Sequence, residues 1–299
     1  MKKFDSPRNL QRTSKMLYHS FFTQEEIDQE YNPRFIVENS DELIQSYLTE
    51  SERVSGEYPN IPRISYGSSA EETLDIFSSE IPASPIHIFF HGGYWHSMSS
   101  RDFAFVAEGL LRNGITAVLI NYALCPKVTI SEIVRQARAA VAWTYRNAMT
   151  FGGNPEQITV SGHSAGGHLT GMLLSTKWEK EYGLASDIIK GMLPISGLFD
   201  LGAFPFSWLQ PKLQLSPELV SANSPLLLKP TSKTPVLLAV GADESLEFHR
   251  QSQEYCTFLE KQGVPAKYIS VQRKNHFNII HDFLGDGGIF CRQISEWSC

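Results

Sequence analysis

The strongest constraint on how this chain folds is local. An apolar run, Gln157-Ile158-Thr159-Val160, leads into Gly162-His163-Ser164-Ala165-Gly166, and a helix-forming run, Gly167 to Leu174, leads out. G-x-S-x-G between a strand and a helix is the sharp turn that lifts one serine hydroxyl clear of a sheet edge. The glycines permit that turn and let the helix pack close to the strand. By itself the pattern is weak, since about one chain in ten of this length carries it by chance. Its weight comes from what surrounds it.

On both sides of this turn the chain alternates. Ile86 to Phe90 reads as a buried strand, Asp102 to Arg112 has helical spacing, and Ile115 to Ile120 is again apolar and β-branched. Thr129-x-x-Glu132 predicts a capping box opening a long helix with Ile133, Ala137, Ala140, Val141 and Thr144 on one face. Further strands are expected at Ile158 to Val160, Met192 to Ile195, Val236 to Val240 and Lys267 to Val271. A helix is expected over Glu247 to Lys261, and an irregular Pro- and Leu-rich stretch from Leu201 to Pro230. Such alternation implies the α/β class, a mostly parallel sheet with helices on both faces. Ligands of these sheets sit at the carboxyl ends of the strands, where the serine turn lies.

The amino-terminal part reads differently. Residues 1–60 form a helical, polar segment and a candidate lid, with helix starts at Thr23/Glu26 and at Ser40 ahead of the stripe Leu43-Ile44…Tyr47-Leu48. Pro62 to Tyr66 and Thr73 to Phe77, split by Gly67-Ser68-Ser69, suggest an antiparallel pair opening an α/β domain over 61–299. The whole is expected to be one domain, as is common at this size.

Composition narrows the class further. A net charge of −6 with no Lys/Arg cluster argues against nucleic acid and anionic membranes as partners. The basic start, Met1-Lys2-Lys3, is not followed by an apolar stretch, so it reads as no secretory signal. No run approaches the roughly 18 apolar residues of a membrane span. Cys125, Cys256, Cys291 and Cys299 lack C-x-x-C spacing and read as free thiols of a cytoplasmic protein. Neither H-x-x-x-H nor H-x-x-E spacing appears, so no metal and no cofactor is expected. The expected partner is a small-molecule substrate, with a homodimer left open.

A serine at such a turn needs a base, an orienting acid and an oxyanion hole. Of the four histidines after Ser164, His168, His249 and His281 fall in helical runs and read as packing or surface residues. His276 alone sits in a polar loop, after Arg273-Lys274-Asn275 and the last strand, and is the candidate base. Two adjacent carboxylates, Asp243 and Glu244, compete for the acid in the loop after Val240. His91-Gly92-Gly93-Tyr94-Trp95 follows a strand directly, so the N–H groups of Gly93 and Ala165, with Gly92 nearby, are the candidate oxyanion hole. His91 reads as a brace of that loop. Tyr94 and Trp95 are candidate walls of an aryl pocket.

These residues carry a resemblance. The chain resembles kynurenine formamidases (arylformamidases) of the α/β-hydrolase fold and their esterase relatives of the hormone-sensitive-lipase type. The matching runs are His91-Gly92-Gly93-Tyr94-Trp95, Asn121-Tyr122-x-Leu124-Cys125-Pro126, Gly162 to His168, Ser196-Gly197-Leu198-Phe199-Asp200, Glu244-Ser245-x-Glu247-Phe248-x-Arg250-Gln251-Ser252 and Asn275-His276-Phe277. Tyr31-Asn32-Pro33-Arg34 is similar to an amino-terminal signature of bacterial members, so the resemblance spans about residues 30 to 285. Similar esterases place the acid three residues after a glycine, which from Gly241 selects Glu244. The position before the Ser-x-Glu-Phe run selects it again. Animal formamidases carry Asp there, and Glu is similar to the bacterial relatives.

The resemblance implies a Ser164–His276–Glu244 triad that cleaves N-formyl-L-kynurenine to L-kynurenine and formate. One rival is a carboxylesterase of short acyl esters. A second, from another class, is a non-catalytic ligand-binding protein on the same scaffold, which would be expected to have lost a triad member.

Overall fold

Strands covered by helices on both faces have no polar side to show, and they read as unbroken apolar runs. The computed structural model describes residues 16–298, so the basic start and Cys299 lie outside the described residues. Its chain order is α1 (Gln24–Tyr31), α2 (Ser40–Glu57), β1 (Ile61–Ser65), β2 (Thr73–Phe77), β3 (Ser84–Phe90), α3 (Val106–Arg112), β4 (Thr116–Ile120), α4 (Ile130–Asn147) and β5 (Gly153–His163). It continues with α5 (Ala165–Leu173), α6 (Trp178–Tyr182), β6 (Ile189–Ile195), α7 (Gln210–Leu213), α8 (Pro217–Ala222), β7 (Val236–Gly241), α9 (Leu246–Lys261), β8 (Ala266–Val271) and α10 (Ile289–Trp297).

The eight strands form one sheet in the order β1-β2-β4-β3-β5-β6-β7-β8. β1 and β2 pair antiparallel, β2 lies antiparallel to β4, and every other pairing is parallel. This is the expected α/β architecture. Side chains alternate between two apolar layers, as a pleated strand requires. Ile86, Ile88 and Phe90 face the layer built with α4, α5 and α9, and Phe89 faces the layer built with α2, α3 and α10. Register sets Phe90 beside Gly162, and His163 beside Ile195. The carboxyl ends of β3, β5 and β6 therefore open side by side.

Local chemistry decides several boundaries. Thr23 and Glu26 form a complete capping box on α1. Thr129 accepts from the Glu132 N–H at 3.3 Å, but the Glu132 carboxylate turns to Arg135 and Gln136, so only half of the expected box forms on α4. The helix expected from Asp102 begins at Val106, because Asp102 bonds back to the Ser99 N–H at 2.8 Å and closes a 3-10 turn first. Asn39, not Ser40, occupies the cap position of α2, and Leu48 of the expected stripe faces outward while Tyr47 and Val54 are buried. The irregular stretch after Leu201 contains the short helices α7 and α8. No helix among the described residues is long and apolar enough to cross a membrane.

Candidate active site

Ser164 sits between β5 and α5 with φ 56° and ψ −114°, a backbone state that L residues rarely adopt and that the surrounding contacts must hold. Its N–H donates to Ile195 O at 2.8 Å, tying the turn to the end of β6. Gly166 makes the close approach possible: a Cβ there would lie 2.0 Å from Phe90 O at the end of β3. Ser164 is nearly buried and lines a cavity of about 450 Å³ at the carboxyl end of the sheet.

His276, in the loop after β8, lines the same cavity. Its Nδ1 lies 2.6 Å from Glu244 Oε2, and the Glu244 side chain is fully buried. The second Glu244 oxygen accepts from the Ser196 hydroxyl at 2.6 Å and the Gly241 N–H at 2.7 Å. A carboxylate only accepts, so Nδ1 carries the proton and Nε2 is left as the basic nitrogen. Asp243 points elsewhere: it is exposed, and its backbone N–H bonds to Lys274 O at 2.9 Å. Ser164 Oγ and His276 Nε2 face one cavity without a hydrogen bond between them in this structure, a leg that often tightens only with substrate bound.

Two residues that sequence reasoning did not single out hold this arrangement. Ser196 was visible only as the first residue of the Ser-Gly-Leu-Phe-Asp run, directly after a strand. His163, inside the serine turn, donates from Nε2 to His276 O at 2.8 Å, and burial pushes its pKa well below the ordinary histidine value. Its Nδ1 has no partner among the described residues.

The loop after β3 is fixed from several directions. The ring of His91 stacks on Tyr122 with centroids 4.1 Å apart, its Nδ1 donates to Gly92 O at 2.7 Å, and Tyr122 OH donates to His91 O at 2.7 Å. Burial lowers the His91 pKa to about 4, so it stays neutral, as befits a brace. A Cβ on Gly92 would stand 3.1 Å from His163 Nδ1 and 3.4 Å from Ser164 Cβ, and Gly93 has φ +106°. The Gly93 and Ala165 N–H groups have no backbone acceptor among the described residues.

Tyr94 lines the cavity, its hydroxyl bonded to Tyr31 O. Trp95 does not: it is fully buried, with Nε1 donating to His168 Nδ1 at 3.1 Å, so its role as a pocket wall is corrected to core packing. His168 completes that bridge through Asn223 O at 2.8 Å. His249 pairs with Tyr268 OH and His281 with Ser46 Oγ, both away from Ser164. Cys125, Cys256 and Cys291 are unpaired.

A mostly parallel sheet in this strand order, with a serine turn after β5 and a buried acid–imidazole pair beside it, defines a hydrolase of the α/β-hydrolase fold. Residues 74–196 match the family model BD-FAE. The chain is 30% identical over 277 residues to the kynurenine formamidase of Danio rerio, covering 88% of this chain and 92% of that one. It is 25% identical over 235 residues to Esterase LipQ of Mycobacterium tuberculosis, covering 71% and 56%. A candidate thioesterase of Silicibacter sp. TM1040 superimposes with a TM-score of 0.80 at 25% identity, covering 90% and 99%. The chain belongs to the kynurenine formamidase family. It is a hydrolase of the formamidase and esterase type.

Proposed function

We propose that this enzyme hydrolyses N-formyl-L-kynurenine to L-kynurenine and formate through Ser164, His276 and Glu244. The observation that carries the reading is the buried Glu244–His276 pair at 2.6 Å on the cavity that also holds Ser164. The name of the Danio rerio relative supports the choice of substrate.

Ser164 Oγ attacks the formyl carbon while His276 Nε2 takes its proton. Glu244 keeps the imidazole in that tautomer and stabilises the imidazolium. The developing oxyanion is bound by the N–H groups of Gly93 and Ala165, with Gly92 closing the approach; one such donor is worth about 2.7–4 kcal/mol. His276 then gives the proton to the arylamine nitrogen as the C–N bond breaks. Water, deprotonated by the same nitrogen, releases formate and restores the serine. An arylamine leaves more readily than an alkylamine, which suits an esterase-like triad to this amide.

The likeness to Esterase LipQ favours one second reading, a carboxylesterase of short acyl esters. Parallel kinetics on N-formylkynurenine and p-nitrophenyl acetate decide between them: the formamidase reading requires the higher kcat/KM on the formamide. Ser164→Ala should lower kcat by about 10³-fold or more on either substrate while the protein stays folded. Near-normal turnover in that variant would remove the serine mechanism.

A further inference from the structure

The wall of the active-site cavity carries very little charge. Aromatic and apolar side chains dominate it, among them Tyr47, Tyr94, Phe103, Trp208 and Phe277. No Asp, Glu or Lys of the described residues lines it, and burial lowers the pKa of His96 so that it is neutral. Arg34 is the one arginine among the residues that line it.

The segment that carries Arg34 is held at several points. Tyr31 is fully buried, with its hydroxyl 2.6 Å from Glu247 Oε2, and it anchors the chain just before the turn. Asn32 Oδ1 accepts from the Arg34 N–H at 3.2 Å, and buried Pro33 opens a 3-10 turn over Pro33–Phe35. The backbone of this turn is therefore held in place. Its ionic partner, Asp41, is 84% exposed and Arg34 is 52% exposed. Exposed pairs of this kind contribute little, so exchanging Asp41 for another carboxylate is easy. A carboxylate in the mouth of an apolar cavity is better shielded from water and gains the bidentate geometry that arginine offers.

We infer that Arg34 is a carboxylate-binding subsite, so that the enzyme selects aryl acyl compounds bearing an anionic carboxylate remote from the scissile acyl group. The inference deepens the proposed function, resting on its serine chemistry at this cavity but not on the identity of the acyl bond. Asp41 occupies the guanidinium in the empty enzyme and gives it up to the substrate.

The test uses esters, so that it stands apart from the formamide question. 4-Acetoxybenzoate carries the anion and methyl 4-acetoxybenzoate is its neutral counterpart; the ratio of their kcat/KM values, compared between variants, cancels their intrinsic reactivities. Arg34→Gln should lower the anion-to-neutral ratio about tenfold or more, mainly through KM. Arg34→Lys should recover part of it, since charge returns without the fork. Asp41→Asn should raise the ratio by removing the competitor. A ratio unchanged within twofold in Arg34→Gln overturns the subsite. If Arg34→Gln does not fold, Asp41→Asn decides: a raised ratio supports the subsite and an unchanged one overturns it. A wild-type enzyme whose ester ratio obeys Arg34 but which ignores aryl formamides would refute the formamidase reading alone.

Discussion

A carboxylate that must steady an imidazole with one oxygen is best aimed when its other oxygen is also held. Ser196 and Gly241 hold Glu244 Oε1, leaving Oε2 to His276. Replacing Glu244 by Gln keeps the shape but removes the charge, and kcat should fall by up to about 10⁴-fold. Asp243→Asn, changed at an exposed side chain, should cost a few-fold at most; steady-state kinetics on both variants would reverse the assignment if Asp243→Asn proved the crippling one. Ser196→Ala removes a hydrogen bond to a buried anion, so kcat should drop about tenfold with KM little altered. An unchanged kcat would show that the Gly241 N–H suffices. The proposed nucleophile and base are legible in the sequence because each has a local signature, a glycine-flanked turn and a polar loop after a strand. The choice between two neighbouring acids has no such signature. It is made by the path of the loop and by a serine 48 residues away, neither of which spacing reveals.

At the scale of elements, the amino-terminal helices are more than a cover. Ile27 and Tyr31 of α1 are fully buried, as are Val54 and nearly all of Tyr47 on α2. Tyr31 OH bonds to Glu247 and receives Gln251 Nε2 at 2.8 Å, and Ser245 Oγ donates to Glu30 O at 2.6 Å. With Tyr94 bonded to Tyr31 O, this one helix grips both the loop of Glu244 and the loop of Gly92 and Gly93. Tyr31→Phe would remove two buried hydrogen bonds, one of them to a carboxylate, while Glu247 Oε2 keeps Arg250 and Gln251 Nε2 keeps Asp200 O; stability should fall by about 1–3 kcal/mol, read as a shift in the urea midpoint. Deleting the chain through Tyr31 should unfold much of the protein. A truncated form with a normal midpoint and only a raised KM would mark the segment as a lid instead. Helical periodicity was visible here from the sequence, but the docking was not: the segment is polar, and its few buried side chains meet partners some 200 residues away.

For the whole molecule, the alternation of apolar runs and amphipathic stretches was enough to specify a parallel sheet covered on both faces. The pairing of β2 with β4 and the order of strands were not readable, since they depend on contacts that no local pattern encodes. The assembled sheet buries several histidines completely. Burial lowers the pKa of His87 to about 3 and of His91 and His168 to about 4, and it pushes His163 down as well. In the unfolded chain these groups return to about 6.5. As pH falls below that value the unfolded chain binds protons that the folded one refuses, so stability declines from about pH 6.5 down to about pH 4. Each such histidine adds up to about 1.4 kcal/mol per pH unit to the slope. Urea midpoints should change little from about pH 7.5 to 6.5 and fall steadily from about pH 6.5 to 5, and a flat profile over the lower range would contradict neutral burial.

The contact between Gly166 and the end of β3 has a further consequence. By letting the first turn of α5 seat against the strand ends, it sets the amino-terminal end of that helix, with its N–H groups that lack intrahelical acceptors and the partial positive charge of the macrodipole, directly after Ser164. A helix end of this kind favours a nearby negative charge by about 0.3–1 kcal/mol at exposed sites and up to about 2 when partly buried. In the proposed reaction this contribution would belong to the backbone, so it should survive replacement of Ser164, Glu244 and His276 alike. A chain stripped of all three should still outpace the uncatalysed reaction, and an added methyl at position 166, which would press on the end of β3, should lower that remainder.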